Sequence, residues 1–77
     1  MPFAYVTEPG ASLRCRGQTL IVEKDRQQLA EWEIIHLESL VLIGTVHITT
    51  PAMKLLLKHG VETAFVTTYG KLLVQLT

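Results

Sequence analysis

Apolar and polar positions alternate along most of this chain in short runs, broken by glycine, proline and polar residues. Residues 4–6 lead into Thr7-Glu8-Pro9-Gly10, where proline and glycine occupy the two central places of a type II turn. Residues 11–16 then alternate, with Leu13 and Cys15 on one side and Arg14 and Arg16 on the other. Gly17 makes a second turn, and the β-branched run 19–23 predicts a third strand, so the first three strands should form a meander. Residues 24–30, polar and glutamine-rich, read as a loop. Alternation restarts over 31–36, and 37–43 is apolar too continuously for a strand with one wet face. Gly44 ends that run, and 45–49 reads as a further short strand.

A single helix interrupts the β pattern near residues 51–59. Thr50 is placed to cap it, Pro51 suits its first position, and Gly60 supplies the left-handed residue that ends it. Ala52, Met53, Leu55, Leu56 and Leu57 give it a wide apolar face, while Lys54 and Lys58 lie four apart as a basic stripe. Residues 61–67 and 71–76 read as strands about a Tyr69-Gly70 turn, with Leu72, Val74 and Leu76 inward. The pattern predicts a mainly β (α+β) fold, with about seven to nine short strands in two small antiparallel sheets.

Size sharpens this picture. Seventy-seven residues make one domain (1–77), and a chain so short buries only about 60% of its unfolded surface. Cys15 is the only cysteine, so no disulfide within the chain can staple it. Hydrophobic residues nevertheless make up 48% of the sequence. Together with the two-sided apolar strand at 37–43, this predicts self-association, as a two-fold homodimer. The N-terminus lacks the charged region and apolar run of a signal peptide, and no apolar stretch reaches the ~20 residues of a membrane span. The expectation is a cytoplasmic protein without a membrane partner.

Charge and side-chain chemistry narrow the functions. Seven Lys and Arg balance seven Asp and Glu, for a formal net charge of +0. A domain that grips nucleic acid by its phosphates is normally basic, so any DNA binding here should be weak and local. The candidate phosphate contacts are Arg14 and Arg16 on one strand, and Lys54 and Lys58 on the helix. Paired basic residues are equally what a solvated face looks like. His36, His47, His59 and Cys15 are scattered without metal-ligand spacing. His36 and Glu38 would share a face only if one strand ran through both. Glu31 and Glu33 read as a solvated strand face, and Cys15 as a core thiol. No catalytic or metal site is read from these residues, and no cofactor. A free-standing nucleic-acid-binding β domain and a purely structural dimerisation or adaptor module both remain open on this reading.

The order of the segments adds a resemblance. Tyr5-Val6-Thr7-Glu8-Pro9-Gly10-Ala11, then Leu13-Arg14 with Gly17, then Leu20-Ile21-Val22, form the first of four landmarks. Residues 37–44, then Ile48-Thr49-Thr50-Pro51-Ala52 with its helix, then Gly60-Val61-Glu62 through Tyr69-Gly70-Lys71-Leu72, complete them. Together they resemble the N-terminal β domain of the CRISPR-associated integrase/endonuclease of spacer acquisition, the Cas protein numbered one. The resemblance implies a homodimer with a separate helical domain, where a Glu, a His and an Asp hold magnesium or manganese. It also implies a small partner, the CRISPR adaptation protein numbered two, and a β domain that flanks the end of bound DNA. None of those three ligands maps onto a position here, and the chain stops where the linker to the helical domain would begin. The expectation is a domain of an antiviral adaptation enzyme that performs no catalysis itself.

Overall fold

The structure, a computed structural model, describes residues 3–69 and the backbone of residues 72–76. Eight strands are described: β1 (Phe3–Val6), β2 (Ser12–Arg16), β3 (Thr19–Lys24), β4 (Gln27–Glu33), β5 (Ser39–Ile43), β6 (His47–Ile48), β7 (Glu62–Val66) and β8 (Leu72–Leu76). A 3₁₀ turn (Ile34–His36) separates β4 from β5, and helix α1 (Thr50–Lys58) separates β6 from β7. The strands form two four-stranded sheets, ordered β1-β5-β7-β8 and β4-β3-β2-β6. The mainly β, two-sheet, one-helix expectation therefore holds. The inward alternation read for Leu72, Val74 and Leu76 and the turn at Gly70 fall outside the described side chains and residues.

Pairing directions correct the antiparallel expectation. β1 runs parallel to β5, β5 parallel to β7, and β2 parallel to β6, whereas β2-β3, β3-β4 and β7-β8 are antiparallel. Parallel neighbours need a crossover, and α1 supplies one between β5 and β7. The chain leaves β5 at Gly44, contributes β6 to the other sheet, and returns through the helix. Gly44 has φ +80°, and an added Cβ would stand 3.2 Å from the Thr68 methyl. The meander is likewise moved: it comprises β2, β3 and β4, while β1 joins the other sheet.

Residues 24–30 are not a loop. Asp25 and Arg26, at φ 52° and 64°, form a two-residue turn with Lys24 paired to Gln27, and β4 begins at once. That is the mirror-image hairpin turn normally made by Asn-Gly or Asp-Gly, here without glycine. Hydrophilic composition pointed to a loop, yet an edge strand with one wet face tolerates Gln and Glu. A register shift between Val22 and Glu23 lets Leu29 bulge outward, which disrupts pairing along that edge.

The core lies between the sheets. Ala4, Val6, Leu40 and Leu42 face inward from the first sheet, opposed by Leu13, Leu20 and Val22 from the second. Trp32, Cys15 and Phe65 pack at its margin, half-buried. Thr63 is the one buried polar side chain among the described residues, and its hydroxyl donates to the Val61 carbonyl at 3.2 Å. Helix α1 closes the core with Ala52, Leu55 and Leu56, while Met53 is half-buried and Leu57 exposed.

The helix start is corrected by one residue. Thr49, not Thr50, is the cap: its hydroxyl accepts from the Ala52 amide at 3.3 Å, and its carbonyl accepts from the Met53 amide. The helix end is as expected. His59 caps, Gly60 turns left-handed at φ +65°, and the Gly60 and Val61 amides donate to the Leu57 and Leu56 carbonyls. This is the Schellman arrangement, sealed by buried Val61 beneath buried Leu56.

Candidate functional site

The four basic candidates lie in two unlike settings. On β2, Arg14 and Arg16 face outward as alternation requires, but Arg14 Nε donates to Glu23 Oε1 on β3 at 2.8 Å. Cross-strand register sets Arg14, Ile21 and Glu31 in one row, and Arg16, Thr19 and Glu33 in the next. Basic and acidic residues thus share this face, two arginines from β2 with Glu23 from β3 and Glu31 and Glu33 from β4. Such a face attracts a polyanion only weakly. Ile21 is fully buried within it, although it points away from the main core. On α1, Lys54 and Lys58 are exposed, opposite the buried stripe, and neither meets a carboxylate among the described residues. Lys58 also sits in the last helical turn, where a cation complements the helix dipole.

The other chemistry-bearing groups stay apart. His36 is not on a strand with Glu38; it lies in the 3₁₀ turn, with Nδ1 3.3 Å from Glu33 Oε2. His59 Nε2 meets Gln18 Oε1 at 3.1 Å, tying the end of the helix to the β2–β3 turn. Among the described residues no three His, Cys, Asp or Glu side chains gather where a metal ion could sit. The described residues do not fit the magnesium or manganese centre implied by the resemblance. Cys15 is half-buried against the core.

A different surface emerges from packing. The outward residues of the first sheet are Phe3 and Tyr5 on β1, Ser39, Val41 and Ile43 on β5, and Glu62, Ala64 and Val66 on β7. Phe3 and Tyr5 are 56% and 62% exposed, and a groove of about 230 Å³ lies beside them over Val41 and Ala64. The continuous apolar run at 37–43 was the sequence signal for this face. The two aromatics gave none, because a four-residue strand shows too little alternation to separate an inner from an outer side.

The fold defines a small two-sheet domain closed by one helix, and CRISPR-associated proteins are among those it resembles. The profile of the family described as CRISPR associated protein Cas1 matches residues 4–77, and the chain belongs to that family. A curated relative, CRISPR-associated endonuclease Cas1 1 of Thermus thermophilus, is 34% identical over 66 residues, which are 86% of this chain and 21% of the relative. Among solved structures, a partial Cas6-RT-Cas1–Cas2 complex has a TM-score of 0.92 at 25% identity, covering 99% of this chain and 23% of that one. A Cas1 protein from Thermotoga maritima shares the fold, with a TM-score of 0.82 at 14% identity over 96% of this chain and 24% of its own. The chain thus spans about a fifth of the curated relative. Among the described residues no helix is long and apolar enough to cross a membrane.

Proposed function

We propose that this chain is the N-terminal pairing and DNA-end-flanking domain of a Cas1-type integrase/endonuclease acting in CRISPR adaptation. The observation that carries the reading is the family match along 4–77 in a fold whose described residues gather no metal ligands. In this reading the domain positions and the rest of the protein reacts. A helical domain holding magnesium or manganese would cut or join DNA, a second copy would complete a homodimer, and the adaptation protein Cas2 would bind the assembly. The similar solved complex, in which Cas1 stands with Cas2, supports the last of these.

DNA contact through this domain is weak in the same reading. Arg14 is engaged by Glu23, which leaves Arg16, Lys54 and Lys58 as its phosphate contacts. Three such contacts give a slope of log K against log salt of about −3. Titrating end-labelled duplex at several salt concentrations measures that slope, and Lys54→Ala and Lys58→Ala should each reduce its size by about one. A much steeper slope, or binding untouched by Arg16→Ala, Lys54→Ala and Lys58→Ala, would show that other groups hold the DNA.

A further inference from the structure

The two sheets end beside one another in β1 and β4, and these edges are finished differently. The β4 edge carries the bulge at Leu29 and the charges of Glu31 and Glu33, features that keep another strand from pairing with it. β1 is short, but it has no charge, no proline and no bulge. It is hydrogen-bonded to β5 alone, and among the described residues no backbone bond runs from its other edge. Backbone groups of a strand point alternately to its two sides, so β1 presents unpaired amides and carbonyls of the kind that natural edges usually hide.

A cleft of about 120 Å³ lies between the two edges, lined by Tyr5, Val6 and Glu8 on one side and Leu29, Ala30 and Trp32 on the other. Its floor is core: Val6 and Val22 are buried beneath it, whereas Tyr5 and Leu29 stand exposed at its rims. The volume is too small for a substrate or cofactor, whose sites run from about 300 Å³ upward. It suits one or two aliphatic side chains of an extended chain lying along β1, since every second side chain of such a chain points the same way.

Charge narrows the occupant further. Among the described residues the Glu8 carboxylate meets only Lys24 Nζ, at 3.7 Å, and no unpaired cation lines the cleft. A polyanion finds no counter-charge there, whereas a lysine or arginine at the end of an added strand would meet Glu8. β1 of a second copy carries no such cation.

From this we infer that β1 accepts an extended segment of a different protein as an added strand, apolar at alternate positions and bearing a basic residue that meets Glu8. Bonds to the β1 backbone supply the affinity, and the cleft between Leu29 and Trp32 selects the apolar side chain. The inference does not depend on the DNA-flanking role proposed above.

Trp32 is the only tryptophan of the chain, so its emission reports what enters the cleft. The probe is a short capped peptide of alternating valine and threonine with a lysine at each end. Titrated into the full 77-residue chain, it should shift that emission to the blue and saturate, with a Kd below about 1 mM. Methylating one of the two alternate sets of its backbone nitrogens should weaken binding at least about tenfold, and Leu29→Lys should do the same. Exchanging both lysines for glutamate should also weaken it. Arg16→Glu, on the far side of the second sheet, should change nothing, and circular dichroism confirms the fold of each variant. No saturable shift up to about 1 mM overturns the inference. So does binding that neither methylated set nor Leu29→Lys weakens, or a glutamate peptide that binds as tightly. A shift produced by an oligothymidine instead, or by diluting the chain alone, overturns it by giving the cleft to nucleic acid or to a second copy.

Discussion

Leu56→Ala should destabilise the domain by about 2–5 kcal/mol, enough to unfold it outright if its total stability lies at the low end for a small domain. Leu56 is completely buried, and it sits where the helix, the core and the Schellman turn meet, its carbonyl accepting from Val61. Truncation leaves a cavity that the close-packed core around it cannot fill. Thr49→Ala should cost about 1 kcal/mol through loss of the hydroxyl that caps the helix. Thr50→Ala should be close to neutral, since Thr50 is exposed and its hydroxyl caps nothing. Urea melts of the three variants read the ranking directly. If Thr50→Ala proved costlier than Thr49→Ala, the cap would have to be reassigned to Thr50.

A second large effect is expected at Gly44, where the chain leaves one sheet for the other. Its φ of +80° lies in the left-handed region, and a Cβ there would stand 3.2 Å from the Thr68 methyl across the loop. Its amide meanwhile donates to the Val66 carbonyl at 2.9 Å, so the backbone cannot swing away without breaking the link between β5 and β7. Gly44→Ala should therefore cost about 1–3 kcal/mol. Gly17 isolates the two causes. It too has a positive φ, 60°, but nothing stands within 4 Å of a Cβ built there. Gly17→Ala should cost only the conformational penalty, about 1 kcal/mol. Equal losses at the two positions in thermal melts would show that the approach of Thr68 constrains nothing.

How much of the fold was legible in the sequence follows from which interactions are local. The helix was legible almost to the residue, because its signals lie within one turn of its ends; only the choice between two adjacent threonines went wrong. The Pro9-Gly10 turn was legible for the same reason, and the Ala11 amide donates to the Glu8 carbonyl at 3.1 Å. Strand pairing was not legible, because alternation fixes which side chains face inward and says nothing about the neighbouring strand. The helix between two apolar strands was the available hint of a parallel crossover. The first half of strand β4 was hidden by its own wet face, since Gln27 and Gln28 look like loop residues unless Ala30 is read in phase with Trp32, whereas Glu31 and Glu33 already read as a strand face. At the candidate DNA contacts the sequence placed Arg14 and Arg16 correctly on one face. Their acidic neighbours come from strands β3 and β4, a contribution that no spacing along the chain could reveal.

On the proposed reading, this domain positions a nucleic-acid reaction and does not perform one. Its described titratable side chains meet in pairs at most, such as His36 with Glu33 and Arg14 with Glu23, never as a metal centre. The most direct test is to incubate the purified chain with branched and linear DNA in magnesium or manganese, and to follow strand cleavage and joining on a denaturing gel. The DNA should remain intact at every protein concentration. Metal-dependent cleavage that persists through further purification, and disappears when a single carboxylate or histidine of this chain is replaced, would contradict that role.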